Sequence, residues 1–460
     1  MKLVLLGGAS VRSVFFTNGV ARKSVLMGID ELILFDIDQR KLEVMEALCI
    51  HAVKAASSPL RVSACCDARQ ALTGANYIVS TIRVGCDQSR VADEEICLKN
   101  GVLGQETTGA GGFSMALRTI PVMLGYMKLI QEVAPNAWVF NFTNPSGLVT
   151  QALRDAGYDR VLGICDAPSG TKLNMAKALN IPVDELFVQF IGLNHLSWVA
   201  SVRHSDRELL PELLRDETFP ARVKDLSMFG HDLISTIGHL PNEYLYYYYY
   251  REKALQNFRG CKMARGRMVL ENNNRMFEQL YAMNPATDID SMLDVYLHSM
   301  YKRESTYMNT ETNQILAHAA FESTIPGSEG YAGVMMNFIL AAATGQQREM
   351  VLSMPAGQAF GMRKQDVLEV TCLTSGGEIK VQSAGQLSPP AMALMRSVKE
   401  YENLTVQAVM QRCKRTAAAA LTIHPLVNDF EKASRLVDAF WVEAAKYAEG
   451  YEVAHCGNRR

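Results

Sequence analysis

The sequence has almost no net charge, no paired cysteine spacing, no internal repeat, no low-complexity linker and no long apolar run. Each absence excludes something. With 46 Lys and Arg against 48 Asp and Glu the formal charge is −2, so no basic face for nucleic acid can be inferred. A membrane helix needs about 18 apolar residues in succession. The nearest candidate, Val334–Ala343, is interrupted by Asn337, so no spanning helix is expected. The N-terminus reads MKLVLLGGAS, and its apolar run ends at Leu6 in two glycines. That is too short for a secretory leader and reads as a buried first strand. The 10 cysteines are scattered, and Cys65 and Cys66 are neighbours. They read as reduced thiols of a cytoplasmic protein, not as a disulfide framework.

What is present fits a globular enzyme. The chain has 460 residues, 48% hydrophobic and 20% charged, which is too long for one ordinary domain. Over residues 1–170, strand candidates at Leu3–Leu6, Glu31–Phe35, Tyr77–Thr81, Ala137–Asn141 and Arg160–Ile164 alternate with amphipathic stretches such as Arg40–Ala56 and Met115–Ala134. This alternation predicts an α/β domain, a Rossmann-like doubly wound parallel sheet. Residues 171–460 predict a mixed α+β substrate and catalytic domain. Its expected strands are Leu186–Ile191, Ser197–Arg203 and Val367–Cys372. Its expected helices are Asp225–Ile237, Glu271–Met283, Ser291–Asn309, Gly333–Ala343, Pro389–Glu402, Thr405–Leu421 and Phe430–Tyr447.

The first strand feeds Gly7-Gly8-Ala9-Ser10. Glycines there let the chain turn tightly and bring backbone N–H groups to a pyrophosphate at a helix N-terminus. The second strand ends Phe35-Asp36-Ile37-Asp38, where a carboxylate meets the ribose diol of NAD and disfavours the 2′-phosphate of NADP. Asp36 is the first candidate and Asp38 the alternative.

Four further blocks carry chemistry. Arg83 and Arg90 follow a strand and could clamp a phosphate or carboxylate, with Asp93 and Glu94 beside them. Gly104-Gln105-Glu106-Thr107-Thr108-Gly109-Ala110-Gly111-Gly112 is a glycine-rich loop suited to close approach of a sugar or cofactor. Asn144 precedes Pro145, which restricts it to an extended or turn backbone, and its amide suits sugar hydroxyls. Finally, Cys165-Asp166 and Asn194-His195 each follow a strand. A thiolate and an imidazole could share a metal ion and leave positions open for substrate oxygens.

Together, in this order, the blocks resemble glycoside hydrolase family 4, densest from Lys2 to Trp198 and continuing to the Gly330–Asn337 region. The usual glycosidase scheme of two carboxylates does not hold for that family, which uses NAD and a divalent metal. The resemblance implies Cys165 and His195 as metal ligands, with Mn²⁺ first among the candidate ions. It implies Asp166 as the general acid of the α-specific branch, and Tyr244, first of a tyrosine-rich run to Tyr250, as the base. Asn144, Asn194, Glu106, Arg90 and Arg265 are implied as substrate contacts, and Gly7, Gly8, Ala9, Ser10, Asp36 and Arg83 as the cofactor set.

The implied reaction is hydrolysis of 6-phosphorylated glucosides without net redox. Oxidation at C3 of the sugar acidifies the C2 proton, a tyrosine removes it, the glycosidic oxygen leaves, and addition of water and reduction complete the cycle. A cation such as Arg265 is expected to lower the pKa of the tyrosine. The α-linkage is favoured slightly over the β-linkage, and the assembly is expected to be a homodimer or homotetramer. An NAD-dependent malate- or lactate-like dehydrogenase would share the first 170 residues and could use His195 as its base. A non-enzymatic NAD-binding regulator would not need Cys165, Asp166 and His195 together.

Overall fold

The computed structural model describes residues 1–316, 320–325, 330–383 and 385–451. Six strands form its N-terminal part: β1 (Lys2–Leu6), β2 (Glu31–Phe35), β3 (Arg61–Cys65), β4 (Tyr77–Ser80), β5 (Trp138–Asn141) and β6 (Val161–Gly163). Leu3, Val4, Leu5 and Leu6 are all 0% exposed. A strand apolar on both faces needs cover on both, as a parallel sheet with crossover helices provides. All pairings among the six are parallel, and their order is β3-β2-β1-β4-β5-β6. That is the doubly wound dinucleotide-binding order, as expected. β3 is an addition to the sequence reading. It has no fully buried residue, so an edge strand of this kind leaves no apolar run to recognise.

The sheet does not stop at β6. The later strands are β7 (Leu186–Leu193), β8 (Leu196–His204), β9 (Arg207–Glu208), β10 (Leu240–Pro241), β11 (Arg348–Pro355), β12 (Val367–Ser375) and β13 (Glu378–Val381). β11 pairs antiparallel with β6 through Ser353 and Gly163, and the order continues β11-β12-β7-β8-β10 in a single 13-stranded sheet. A side chain at Gly163 would sit 2.7 Å from Ser353 Cβ and Thr150 Oγ1, so this junction requires glycine. β11 escapes a sequence reading because only its central four residues are buried.

Other expectations shift. The helix expected at Asp225–Ile237 is only His231–Ile237, because Gly230 is extended (φ −72°, ψ 144°). The two helices expected at Pro389–Glu402 and Thr405–Leu421 are one helix, Pro389–Gln411, then Lys414–Ile423. The break falls at Arg412, which is left-handed. The expectation that no segment is long and apolar enough to span a membrane is also corrected. The helix Gly109–Val133 passes on length and mean hydropathy, but most of it is buried within the fold, where apolar residues serve as core.

Candidate active site

A cavity of about 1910 Å³ runs along the carboxyl ends of the parallel strands and beneath the helices Arg265–Tyr281 and Ile289–Ser305. At one end are Gly7, Ala9, Ser10 and Asp36. Gly7 has φ +95°, and a Cβ there would sit 2.7 Å from Thr81 Oγ1. Only glycine fits that turn. Gly8 does not line the cavity. It packs on Leu34 of β2, whose Cβ would be 2.7 Å from an added side chain, so glycine is required there for the turn to lie against the strand. The two acids do different work. Asp38 caps the helix Gln39–Ala55 by accepting from Lys41 N. Asp36 stands at the end of β2 and accepts from Ala9 N at 3.0 Å and Asp38 N at 3.1 Å. Burial pushes its carboxyl up, and those backbone amides oppose the shift.

Toward the middle, the expected arginine clamp is already occupied. Arg83 and Arg90 both pair with Glu106, and Arg90 also pairs with Glu94. Burial pushes the Glu106 carboxyl up, but Arg83, Arg90 and Arg303 outweigh it and hold it well below the usual carboxylate range. Asp93 is buried against Arg118 and Ser114. Glu94 accepts from Gly266 N at 2.7 Å. The reading of Arg83 and Arg90 as free to clamp a ligand phosphate is therefore corrected. Glu106, read as a substrate contact, lines the cavity and pairs with both arginines.

At the other end, Cys165 extends from β6, and His195 lies in the two-residue turn between β7 and β8. His195 has φ +63°, a conformation uncommon for a residue with a side chain. Both residues are 5% exposed, and Cys165 Sγ lies 3.6 Å from His195 Nε2. A dication bonded at about 2.3 Å to sulfur and about 2.0 Å to nitrogen in tetrahedral geometry would set those atoms about 3.5 Å apart. The pair therefore fits one ion. Among the described residues no cluster of three or more His, Cys, Asp or Glu could hold a metal. Burial pushes the His195 imidazole down to about 4, leaving it neutral as a ligand must be. Burial, with Glu369 and Asp166 nearby, pushes the Cys165 thiol up, so cation binding must displace its proton.

Asp166 borders the same space and is ion-paired with Arg12 at 3.1 Å. Tyr244 stacks on His195 with ring centroids 3.7 Å apart and planes 7° apart. Of the tyrosine run, Tyr244 and Tyr247 line the cavity. Tyr249 accepts from Trp198, Tyr250 accepts from Gly230 N, and Tyr248 lies against His424. Burial and Glu243 push the Tyr244 phenol well up, and its hydrogen bond with Tyr307 opposes this. Arg265 does not play the expected part. Its guanidinium donates to Arg303 O and Thr306 Oγ1 and lies over the Tyr307 ring at 6.0 Å, one residue removed from the tyrosine it was expected to acidify.

Asn144 lines the cavity and is joined to Pro145 by a cis peptide bond. Asn194 does not line it. Its amide donates to Glu369 at 3.0 Å and hydrogen-bonds the Cys165 thiol, so its reading as a substrate contact is corrected. The glycine loop differs too. Gly109, Gly111 and Gly112 open the helix Gly109–Val133 and do not line the cavity. Residues the sequence reading passed over also line the cavity. Arg303 has no carboxylate in ion-pair range among the described residues, and burial with Arg12 and Arg90 nearby brings its guanidinium down to about 9. Glu243 accepts from Tyr307 at 2.8 Å, and burial with Asp225 nearby pushes it up to about 8.

Two family models cover most of the chain: family 4 glycosyl hydrolase over residues 2–181, and the family 4 glycosyl hydrolase C-terminal domain over 190–427. The chain belongs to glycoside hydrolase family 4. Within the family, it is 30% identical over 450 residues, 95% of each chain, to a Bacillus subtilis (strain 168) protein named probable 6-phospho-beta-glucosidase. It is 26% identical over 434 residues, 91% of each chain, to 6-phospho-alpha-glucosidase 1 of Lacticaseibacillus paracasei. The fold matches a 6-phospho-beta glucosidase from Thermotoga maritima solved with manganese, NAD⁺ and glucose-6-phosphate. The TM-score is 0.81 at 25% identity, over 97% of this chain and 99% of that one. The family and the α/β Rossmann-like fold are thus as the sequence reading expected.

Proposed function

We propose that this family 4 enzyme hydrolyses 6-phosphorylated glucosides, using NAD and a divalent metal, with Cys165 and His195 as the metal ligands. The observation that carries the reading is the 3.6 Å pair of Cys165 Sγ and His195 Nε2 opening into the same cavity as Asp36 and the Gly7 turn. A plain dehydrogenase would not need that pair. When bound, NAD supplies a reversible hydride acceptor for C3 of the sugar, and a divalent ion supplies a Lewis acid for its oxygens.

The chain's own residues supply the remainder. Tyr244 faces the space beside His195 and takes the C2 proton once C3 is oxidised. Asp166, next to the thiol ligand, gives a proton to the departing glycosidic oxygen. On that ground the α-linkage is favoured slightly, although relatives named for either anomer support the coarser reading equally. Asn144 binds sugar hydroxyls. Arg303, a half-buried cation without a carboxylate in ion-pair range among the described residues, takes the 6-phosphate by charge-assisted hydrogen bonds. Residues 1–170 hold the dinucleotide and residues 171–460 complete the sugar site. A thiolate ligand and a phosphorylated substrate suit the reducing cytoplasm, and a homo-oligomer is expected.

The test is nitrophenol release from p-nitrophenyl α- and β-glucoside 6-phosphates and their unphosphorylated counterparts, with and without NAD, Mn²⁺ and reductant. Release that needs both NAD and metal, with no NADH accumulating, is expected. NADH formed on 2-hydroxy acids with no nitrophenol under any combination would overturn the reading.

A further inference from the structure

His195 reaches the cavity through one nitrogen, and the other is held by the glycine loop. Thr107 Oγ1 lies 2.7 Å from His195 Nδ1. Which way that hydrogen bond runs decides which nitrogen carries the proton, and so whether Nε2 can bind a cation. The direction follows from Gln105. Its Oε1 accepts from Thr107 N at 2.6 Å and Thr108 N at 2.7 Å. Two backbone N–H donors aimed at one atom identify it as the amide oxygen, which has no proton to give. Thr107 Oγ1 and Thr108 Oγ1 lie 2.8 and 3.1 Å from the same atom; two oxygens that close repel unless a proton stands between them, and only the hydroxyls have one, so the Thr107 hydroxyl proton lies in that contact. Toward His195 the hydroxyl can then only accept, and Nδ1 must carry the ring proton.

The loop that does this is packed closely against the helix that follows it. A Cβ on Gly111 would sit 2.2 Å from Gln105 O, and one on Gly112 would sit 2.6 Å from Thr107 O. The first turn of the helix Gly109–Val133 thus lies directly on the backbone that presents both side chains. Gln105 and Thr107 are each 9% exposed.

We propose that Thr107, oriented by Gln105, is a positioning residue that fixes His195 as the Nδ1–H tautomer and keeps Nε2 free to bind a divalent cation with Cys165. The inference rests on the reading of Cys165 and His195 as the metal ligands. It gives the motif Gly104-Gln105-Glu106-Thr107 a second task besides pairing with Arg83 and Arg90.

The test uses metal-free full-length protein and Mn²⁺ alone, with free Mn²⁺ read by electron paramagnetic resonance. Thr107→Val, which keeps the shape and removes the hydroxyl, is expected to weaken Mn²⁺ binding about 10–100-fold, while Thr107→Ser stays within about threefold of the wild type. A second readout does not depend on any variant folding. In ¹⁵N-histidine-labelled wild-type protein without metal, long-range ¹H–¹⁵N correlation of His195 is expected to give the Nδ1–H pattern. An Nε2–H pattern overturns the proposal. So does Thr107→Val binding Mn²⁺ as the wild type does. If the wild type binds no Mn²⁺, the metal reading falls and takes this inference with it. If the wild type binds and Thr107→Val binds equally, only this inference falls.

Discussion

The two ends of the cavity are assembled differently. Gly7, Ala9, Ser10 and Asp36 belong to one continuous β-turn-helix-β unit, tied together by Ala9 N donating to Asp36. The rest of the cavity draws Glu106 from a loop at its middle and, at the opposite end, Cys165 from just after β6, His195 from a hairpin turn, Tyr244 from a short helical segment and Arg303 from a helix C-terminus. At the first end the carboxylate is satisfied by backbone amides, which any sequence supplies. Beyond it, charges are satisfied across elements: Arg83 and Arg90 by Glu106 on a loop, and Glu94 by Gly266 N as well as by Arg90 one helical turn before it. What such a site binds depends on which cation is left over, and pairing of this kind exists only in three dimensions.

The sharpest way to break the comparison is Arg303→Met. If Arg303 reads the phosphate, KM for a 6-phosphorylated glucoside rises about 10–100-fold, the value of a charge-assisted hydrogen bond to an anion. NAD affinity is unchanged. Steady-state kinetics on phosphorylated and unphosphorylated nitrophenyl glucosides check this. Equal losses on both substrates would show that Arg303 only shapes the cavity.

The same contrast explains what can be read in the sequence. The parallel sheet is legible because Leu3–Leu6 and Glu31–Phe35 are short apolar runs set off by glycine and acid. β3 is not, because an edge strand without a buried residue carries no apolar signature. Asp36 is legible from its position at a strand end. Cys165 and His195 are legible as a pair only through the family resemblance, since the register that joins β6 to β7 through β11 and β12 has no trace in spacing. Arg90 misleads because its partner Glu106 lies in another element. Arg303 escapes notice because Lys302-Arg303-Glu304 reads as a solvated helix end. Asn194, adjacent to a ligand, reads as a substrate contact, whereas its amide turns to Glu369.

A smaller effect sharpens the other end. Asp36→Asn removes the charge yet leaves an acceptor for Ala9 N. The dissociation constant for NAD should rise about tenfold, since a hydrogen bond to a charged group is worth on the order of 1.5 kcal/mol. The preference against NADP should narrow because the repulsion of a 2′-phosphate is lost. Fluorescence titration of both dinucleotides measures it. Unchanged discrimination would mean that Asp38, and not Asp36, faces the ribose.

The smallest effect concerns stability and falls at the sugar end alone. Glu243 is pushed up to about 8 by burial and by Asp225, against about 4.3 in an unfolded chain. The folded state therefore holds a proton that the unfolded state has released between those values. Stability is fully present below about pH 4 and falls as pH rises through about 8, because folding must then ionise the buried carboxyl or keep its proton. Glu243→Gln keeps an acceptor for Tyr307 and cannot ionise. Its melting temperature should fall less than that of the wild type between pH 6 and pH 9, by a few degrees, at on the order of 2 °C per kcal/mol for a large domain. No carboxyl at the dinucleotide end is displaced so far, so Asp36→Asn should leave that pH dependence in place. Thermal denaturation of the two variants across the same range separates them. If Asp36→Asn also flattens the curve, the contrast in how the two ends hold their charges is wrong.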